Sequence, residues 1–104
     1  MIAITGSGEF LPSIQSVDKK LLSYIEGIPK VLTFSTAAGN ESDNRLLYWK
    51  NLAEEHFKNL GVEHKHIDAR NRDDLNKSSV VNEMNNSNFV YFSGGSPTHL
   101  YESI

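Results

Sequence analysis

A chain of 104 residues, 38% hydrophobic and 22% charged, is at most one domain, with a modest core that buries about two-thirds of its unfolded surface. A formal net charge of −3, with acids and bases interspersed, argues against nucleic acid or an anionic membrane as the main partner. The absence of cysteine excludes a disulfide scaffold, a thiolate zinc site, an iron–sulfur cluster and a cysteine nucleophile.

The first β-rich run is Ile2 to Thr5, which stops at Gly6-Ser7-Gly8. It has no basic region before it and meets glycine at once, so it does not read as a signal peptide. No apolar run approaches the length that spans a bilayer, and the expected compartment is the cytoplasm. Asp18 is placed to cap a helix running to about Glu26, with Leu21, Leu22 and Ile25 on one face and Gly27 and Pro29 ending it. Lys30 to Ser35 is the second strand, and the small-residue loop Thr36 to Ser42 follows.

The clearest helix runs from about Asp43 to Leu60. Leu46, Trp49, Ala53, Phe57 and Leu60 make one stripe, Glu54 and Lys58 form a supporting i,i+4 pair, and Gly61 closes it at C′. Val62 to Asp68 is a third, more polar strand that suits an edge. Asp73 or Asp74 opens a helix carrying Leu75, Val80 or Val81, and Met84, which ends in Asn85-Asn86-Ser87-Asn88. Phe89 to Phe92 is a short, wholly apolar strand, as expected of one covered on both faces. Ser93-Gly94-Gly95-Ser96-Pro97 leads to a last helix with Ser96 as N-cap and Pro97 at N1, on which Leu100, Tyr101 and Ile104 begin an apolar stripe.

The order βαβαβαβ predicts an α/β domain built as a three-layer sandwich around a parallel sheet, since parallel strands need right-handed crossovers and cover on both faces. The usual order 3-2-1-4 would seat Ile2 to Thr5 between Lys30 to Ser35 and Phe89 to Phe92. An apolar fourth strand is expected to be central, and two turns of helix with an open stripe make a poor ending. The domain therefore reads as truncated after its fourth strand; the alternative is a mini-domain completed by a second copy in a homodimer.

Ligands in such sheets bind beyond the carboxyl ends of the strands. Three small-residue loops converge there: Gly6-Ser7-Gly8-Glu9, Thr36 to Ser42, and Ser93 to Ser96. The Gly94-Gly95 turn lets backbone N–H groups approach a phosphate, a carboxylate or a developing oxyanion, although a plain strand-to-helix turn explains it equally well. Gly6-x-Gly8 lacks the third glycine of a dinucleotide fingerprint, and no Walker A lysine pattern exists, so no cofactor is expected. His64, His66 and Asp68 alternate along a strand as metal ligands could, but a solvated edge strand anchored by Val62 and Ile67 is favoured and no metal is assigned. Ser96 and His99 share one helical turn without an evident acid behind the histidine, so Ser96 is not read as a nucleophile. Trp49 and Phe57 read as core.

Gly6-Ser7-Gly8-Glu9, Phe34-Ser35-Thr36-Ala37-Ala38 and Phe92-Ser93-Gly94-Gly95-Ser96-Pro97-x-x-Leu100 together resemble the dipeptidase E and cyanophycinase family of serine peptidases. The resemblance follows element order from Met1 to Ile104 and covers about the first half of a typical family domain. It implies a class I glutamine amidotransferase-like fold and a Ser-His-acid peptidase acting on aspartyl dipeptides or related small peptides. It also implies that the backbone N–H of Gly94 or Gly95 serves as an oxyanion-hole donor, with Gly8, Glu9 and Ser96 at the substrate. Many members have Asn where this chain has Ser96, and the family's Ser elbow motif, later histidine and acid do not occur here. The chain alone is accordingly expected to be inactive. The competing reading is a non-catalytic binding or assembly module whose Gly-Gly corner holds an anion.

Overall fold

The computed structural model describes residues 8–104, so the expected strand at Ile2 to Thr5 and the Gly6-Ser7 turn lie outside the described residues. Phe10, deep in the core, leads into a 3-10 turn at Pro12–Ile14 and helix α1 (Gln15–Leu22). Strand β1 (Lys30–Phe34) is followed by a second 3-10 turn at Thr36–Ala38 and the long helix α2 (Asp43–Asn59). Strand β2 (Glu63–Ile67), the short helices α3 (Arg72–Leu75) and α4 (Ser78–Asn85), strand β3 (Phe89–Phe92) and helix α5 (Pro97–Ser103) complete the order.

The strands form one parallel sheet in the order β2-β1-β3. Alternation along β1 divides the core into two layers. Val31 packs with Phe10, Leu22, Ala53 and Phe57 beneath α1 and α2, with Trp49 and Tyr91 closing the cluster. Leu32 and Phe34 face the other way, onto Ile67, Ala69 and Val80, with Leu75, Met84 and Phe92 alongside. Helices therefore cover both faces of the sheet, and the fold is α/β. Phe34 and Phe92 stack across neighbouring strands with ring centroids 4.9 Å apart.

The α2 stripe holds as expected: Leu46, Ala53 and Phe57 are buried, Trp49 and Leu60 half-buried. Ser42 caps the helix, its hydroxyl accepting from the Arg45 N–H at 3.2 Å, and Gly61 follows its end at φ +70°.

Four expectations need correction. The sheet order is not 3-2-1-4, because Val31 to Phe34 pair directly with Phe89 to Phe92. Among the described strands the order matches the 2-1-3 core of the other doubly wound class, and it puts the switch point between β1 and β3. Phe89–Phe92 is not covered all round; Val90 is 40% exposed, and no described strand lies beyond β3. Asp18 does not cap α1. It sits inside the helix, wholly buried, and the helix ends at Leu22 rather than near Glu26. The expected helix after Asp73 is two pieces, separated at Asn76-Lys77, where the Asn76 side-chain amide donates to the Arg72 carbonyl at 2.9 Å.

Candidate functional site

The carboxyl ends of β1 and β3 meet in a tight corner. Ser93 N–H donates to the Phe34 carbonyl at 2.9 Å, and Ser96 N–H to the Ala37 carbonyl at 2.7 Å. Between these two ties lie Gly94 and Gly95, whose N–H groups make no hydrogen bond to any described residue. A Cβ on Gly95 would lie 2.5 Å from the carbonyl carbon and oxygen of Ala37, so only glycine lets the β3 exit lie against the turn at Thr36–Ala38. A Cβ on Gly94 would lie 2.9 Å from Oε1 of Glu9.

Glu9 is brought there by its neighbours. Gly8, at φ +84°, opens a turn closed by the Leu11 N–H to Gly8 carbonyl bond of 3.0 Å. Phe10 takes a left-handed φ of +65°, a costly conformation for a bulky side chain. Burial of its ring against Tyr91 at 4.8 Å, and against Phe57, Trp49 and His56, offsets that cost. The three loops thus converge in the described part, through Glu9, Ala37-Ala38 and Gly94-Gly95.

The floor of the corner is a second set of ties. Thr36 Oγ1 donates to the Ala69 carbonyl at 2.7 Å. His99 Nε2 donates to the Arg70 carbonyl at 2.7 Å, while its Nδ1 accepts from the Asn40 amide at 3.2 Å. This fixes one neutral tautomer and turns the imidazole away from Ser96. Ser96 Oγ accepts the His99 backbone N–H at 3.1 Å as the cap of α5, so the two side chains are not a nucleophile–base pair. The Arg70 guanidinium is held by Asp68 and Asp43, which raise its pKa further above the ordinary value.

The alternating histidines point into the sheet's α2 side. His64 Nε2 and His66 Nδ1 approach the Thr33 hydroxyl at 2.7 and 2.8 Å, and Asp68 turns instead to Arg70. Among the described residues no group of three His, Cys, Asp or Glu could hold a metal ion. Ser35 Oγ lies 3.4 Å from His66 Nε2, but Ser35 is buried and the far nitrogen of that ring meets a hydroxyl, not a carboxylate. Burial, with the neighbouring His66 and His56 charges, pushes the His64 pKa down to about 4, and burial also lowers that of His66. Stability linked to His64 is fully present above the unfolded value of 6.5 and is lost as pH falls through about 4. Urea unfolding at pH 7 and pH 4.5 checks this. The wild type is expected to lose about 1–2 kcal/mol more than His64→Gln between those values, after allowing for solvent screening of a half-buried ring.

Sequence reasoning missed one buried pair altogether. His56 Nε2 and Asp18 Oδ2 lie 2.7 Å apart with both side chains shielded from solvent. Burial raises the Asp18 pKa against the opposing pull of His56. Asp18 Oδ1 and the Tyr91 hydroxyl have no partner among the described residues. The Tyr91 pKa is raised by burial and by the Asp18 and Glu9 charges. An open groove of about 1090 Å³ runs from the Gly94-Gly95 corner along β3 to Asn88, with α1 residues and Glu26 on its other wall.

No protein-family model matches the chain, and no curated protein sequence matches it. Among solved structures, a peptidase from an acI-B1 Actinobacterium is similar, at 35% sequence identity and a TM-score of 0.87 over 96% of this chain. The chain shares the fold of that peptidase and spans 43% of its length. Among the described residues, no helix is long and apolar enough to cross a membrane.

Proposed function

We propose that this chain is the N-terminal portion of a serine-type peptidase of the dipeptidase E and cyanophycinase kind, cleaving Asp-containing dipeptides or related small peptides in the cytoplasm. The observation that carries the reading is the likeness to a peptidase over 96% of the chain, joined to a glycine corner whose two N–H groups no described residue engages. In acyl transfer the barrier falls when fixed donors meet the oxygen that becomes charged as the carbonyl turns tetrahedral. Gly94 and Gly95 N–H are the donors in this proposal. Ser96 N–H is already given to Ala37, so Ser96 contributes as the residue that locks the turn at the substrate's edge.

Glu9 lies on the side of Gly94 from which a Cβ would project. A carboxylate there attracts an ammonium, such as the free amino group of a small peptide. The serine nucleophile, its histidine and its acid are not among the described residues. In this reading they come from polypeptide outside the chain, in the part of the peptidase fold that the chain does not span.

The test has two arms. The 104-residue chain is expected to give no hydrolysis of Asp-containing dipeptides; turnover that disappeared with Ser96→Ala would sink the proposal. The protein purified from its source is expected to hydrolyse them and to gain one fluorophosphonate adduct on a serine, seen by intact mass. Turnover without an adduct would rule out the serine mechanism.

A further inference from the structure

Thr33 is wholly buried in β1, and two imidazoles from β2 meet its hydroxyl. His64 Nε2 lies 2.7 Å from Thr33 Oγ1, and His66 Nδ1 lies 2.8 Å from it. The far nitrogen of His66 has Ser35 Oγ at 3.4 Å, and the His64 ring stacks on Phe57 of α2 with centroids 5.1 Å apart. The strand register sets the two histidines opposite Val31 and Thr33, on the face that α2 covers.

A hydroxyl has one proton to give and two lone pairs to receive with. While both rings are neutral, Thr33 donates to one and accepts from the other. One added proton fits on His66: its Nδ1–H donates to Thr33, its Nε2–H to Ser35, and the Thr33 hydroxyl donates to the bare Nε2 of His64. A second proton, on His64, does not fit. Thr33 would then receive two N–H groups, its own buried proton would lose its acceptor, and two cations would share one oxygen.

The surrounding charges give the same order. Burial lowers the His66 pKa, but Asp68 and Glu54 draw a proton to this ring against the opposing Lys50. Burial, with the charges of His66 and His56, pushes the His64 pKa down to about 4. Lys30, Lys65, Glu63 and Glu83 line a small pocket with His64 and are two of each sign. Beyond its last residue, β2 leads into the ties under the glycine corner: the Ala69 carbonyl receives the Thr36 hydroxyl, and the Arg70 carbonyl receives His99.

We infer that Thr33, His64 and His66 form a one-proton switch that keeps β2 docked on β1 while His66 alone is charged, and that a proton on His64 parts this ring from Thr33 and loosens the corner floor. The inference concerns the chain's own structure and does not depend on the peptidase reading.

The experiment is an NMR titration of the 104-residue protein, isotopically labelled in its histidine rings and amides. It runs from about pH 7.5 to about pH 3.5, which spans both histidine steps. His66 is expected to take its proton first, and His64 at least about one pH unit lower. The Gly95 amide signal should move with the His64 step. His64→Gln, whose amide can still hold Thr33, should abolish that movement and leave any response to His99 in place. Thr33→Val should bring the two steps together, since His66 loses an acceptor for its added proton and His64 loses the donor to its bare nitrogen. Thr33→Ser should keep them apart. If the whole fold is lost at the His64 step, the readout is the acid midpoint, which His64→Gln should lower by about half a pH unit or more.

The inference is overturned if His64 takes the first proton, if the two rings titrate together, or if the His64 step leaves Gly95 unmoved. It is equally overturned if His64→Gln keeps the Gly95 movement at the wild-type pH or keeps the wild-type acid midpoint. Unchanged spacing of the two steps in Thr33→Val would assign the separation to charge repulsion alone and remove Thr33 from the switch.

Discussion

Asp18→Ala is expected to lower the unfolding free energy by about 3 kcal/mol, and to lower the melting temperature by roughly 12–24 °C for a domain of this size. The substitution deletes a side chain with no solvent exposure and leaves His56 facing a cavity between α1 and α2. The cost has three sources. They are the loss of a 2.7 Å hydrogen bond, the desolvation of an unpaired ring nitrogen and an incompletely filled space. Phe10 amplifies the loss. Its ring lies 5.9 Å from the His56 ring and its left-handed backbone depends on that packing.

Asp18→Asn can still accept through its side-chain oxygen and should recover more than half of the difference. Urea denaturation of the three proteins at pH 7 checks the ordering. A cost below about 0.5 kcal/mol for Asp18→Ala would show that the pair contributes specificity rather than stability.

The history of Asp18 shows where a sequence stops being readable. Aspartate just ahead of Leu21, Leu22 and Ile25 has the local signature of a cap, and nothing nearby in the chain contradicts it. Its partner is His56, 38 residues away on the hidden side of α2, and only packing reveals it. The α2 stripe was legible because period and burial agree over many turns: Leu46, Ala53 and Phe57 recur on one face and are buried there.

The strand order was not legible. The runs Lys30–Phe34 and Phe89–Phe92 look alike whether or not another strand lies between them, since alternation and apolarity specify faces, not neighbours. FVYF was expected to be enclosed because it is apolar throughout, yet Val90 is 40% exposed. Of the corner, the glycines were legible and their reason was not. The closeness of Gly95 to Ala37, and of Gly94 to Glu9, depends on two exits of the sheet being side by side.

Gly95→Ala, in the complete enzyme of the proposed function, is expected to lower kcat by about 10²–10³-fold with a much smaller change in KM. The added methyl would sit 2.5 Å from the Ala37 carbonyl, which is backbone and cannot swing aside. The β3 exit must lift away from the turn at Thr36–Ala38, stretching the 2.7 Å bond from Ser96 N–H to Ala37 and re-aiming the Gly94 and Gly95 N–H groups.

In the acyl-transfer reading those donors meet charge that exists only near the transition state, so their displacement falls on kcat. Ser96→Ala separates this from general loosening. It removes the α5 cap, costing about 1 kcal/mol of stability, but keeps the backbone N–H tie to Ala37. Steady-state kinetics on both variants, with melting curves alongside, make the comparison. If Gly95→Ala lost stability and kept kcat, the corner would be a strand-to-helix turn and nothing more. A fall in kcat confined to Gly95→Ala, at temperatures where both variants are folded, would place the oxyanion donors at that turn.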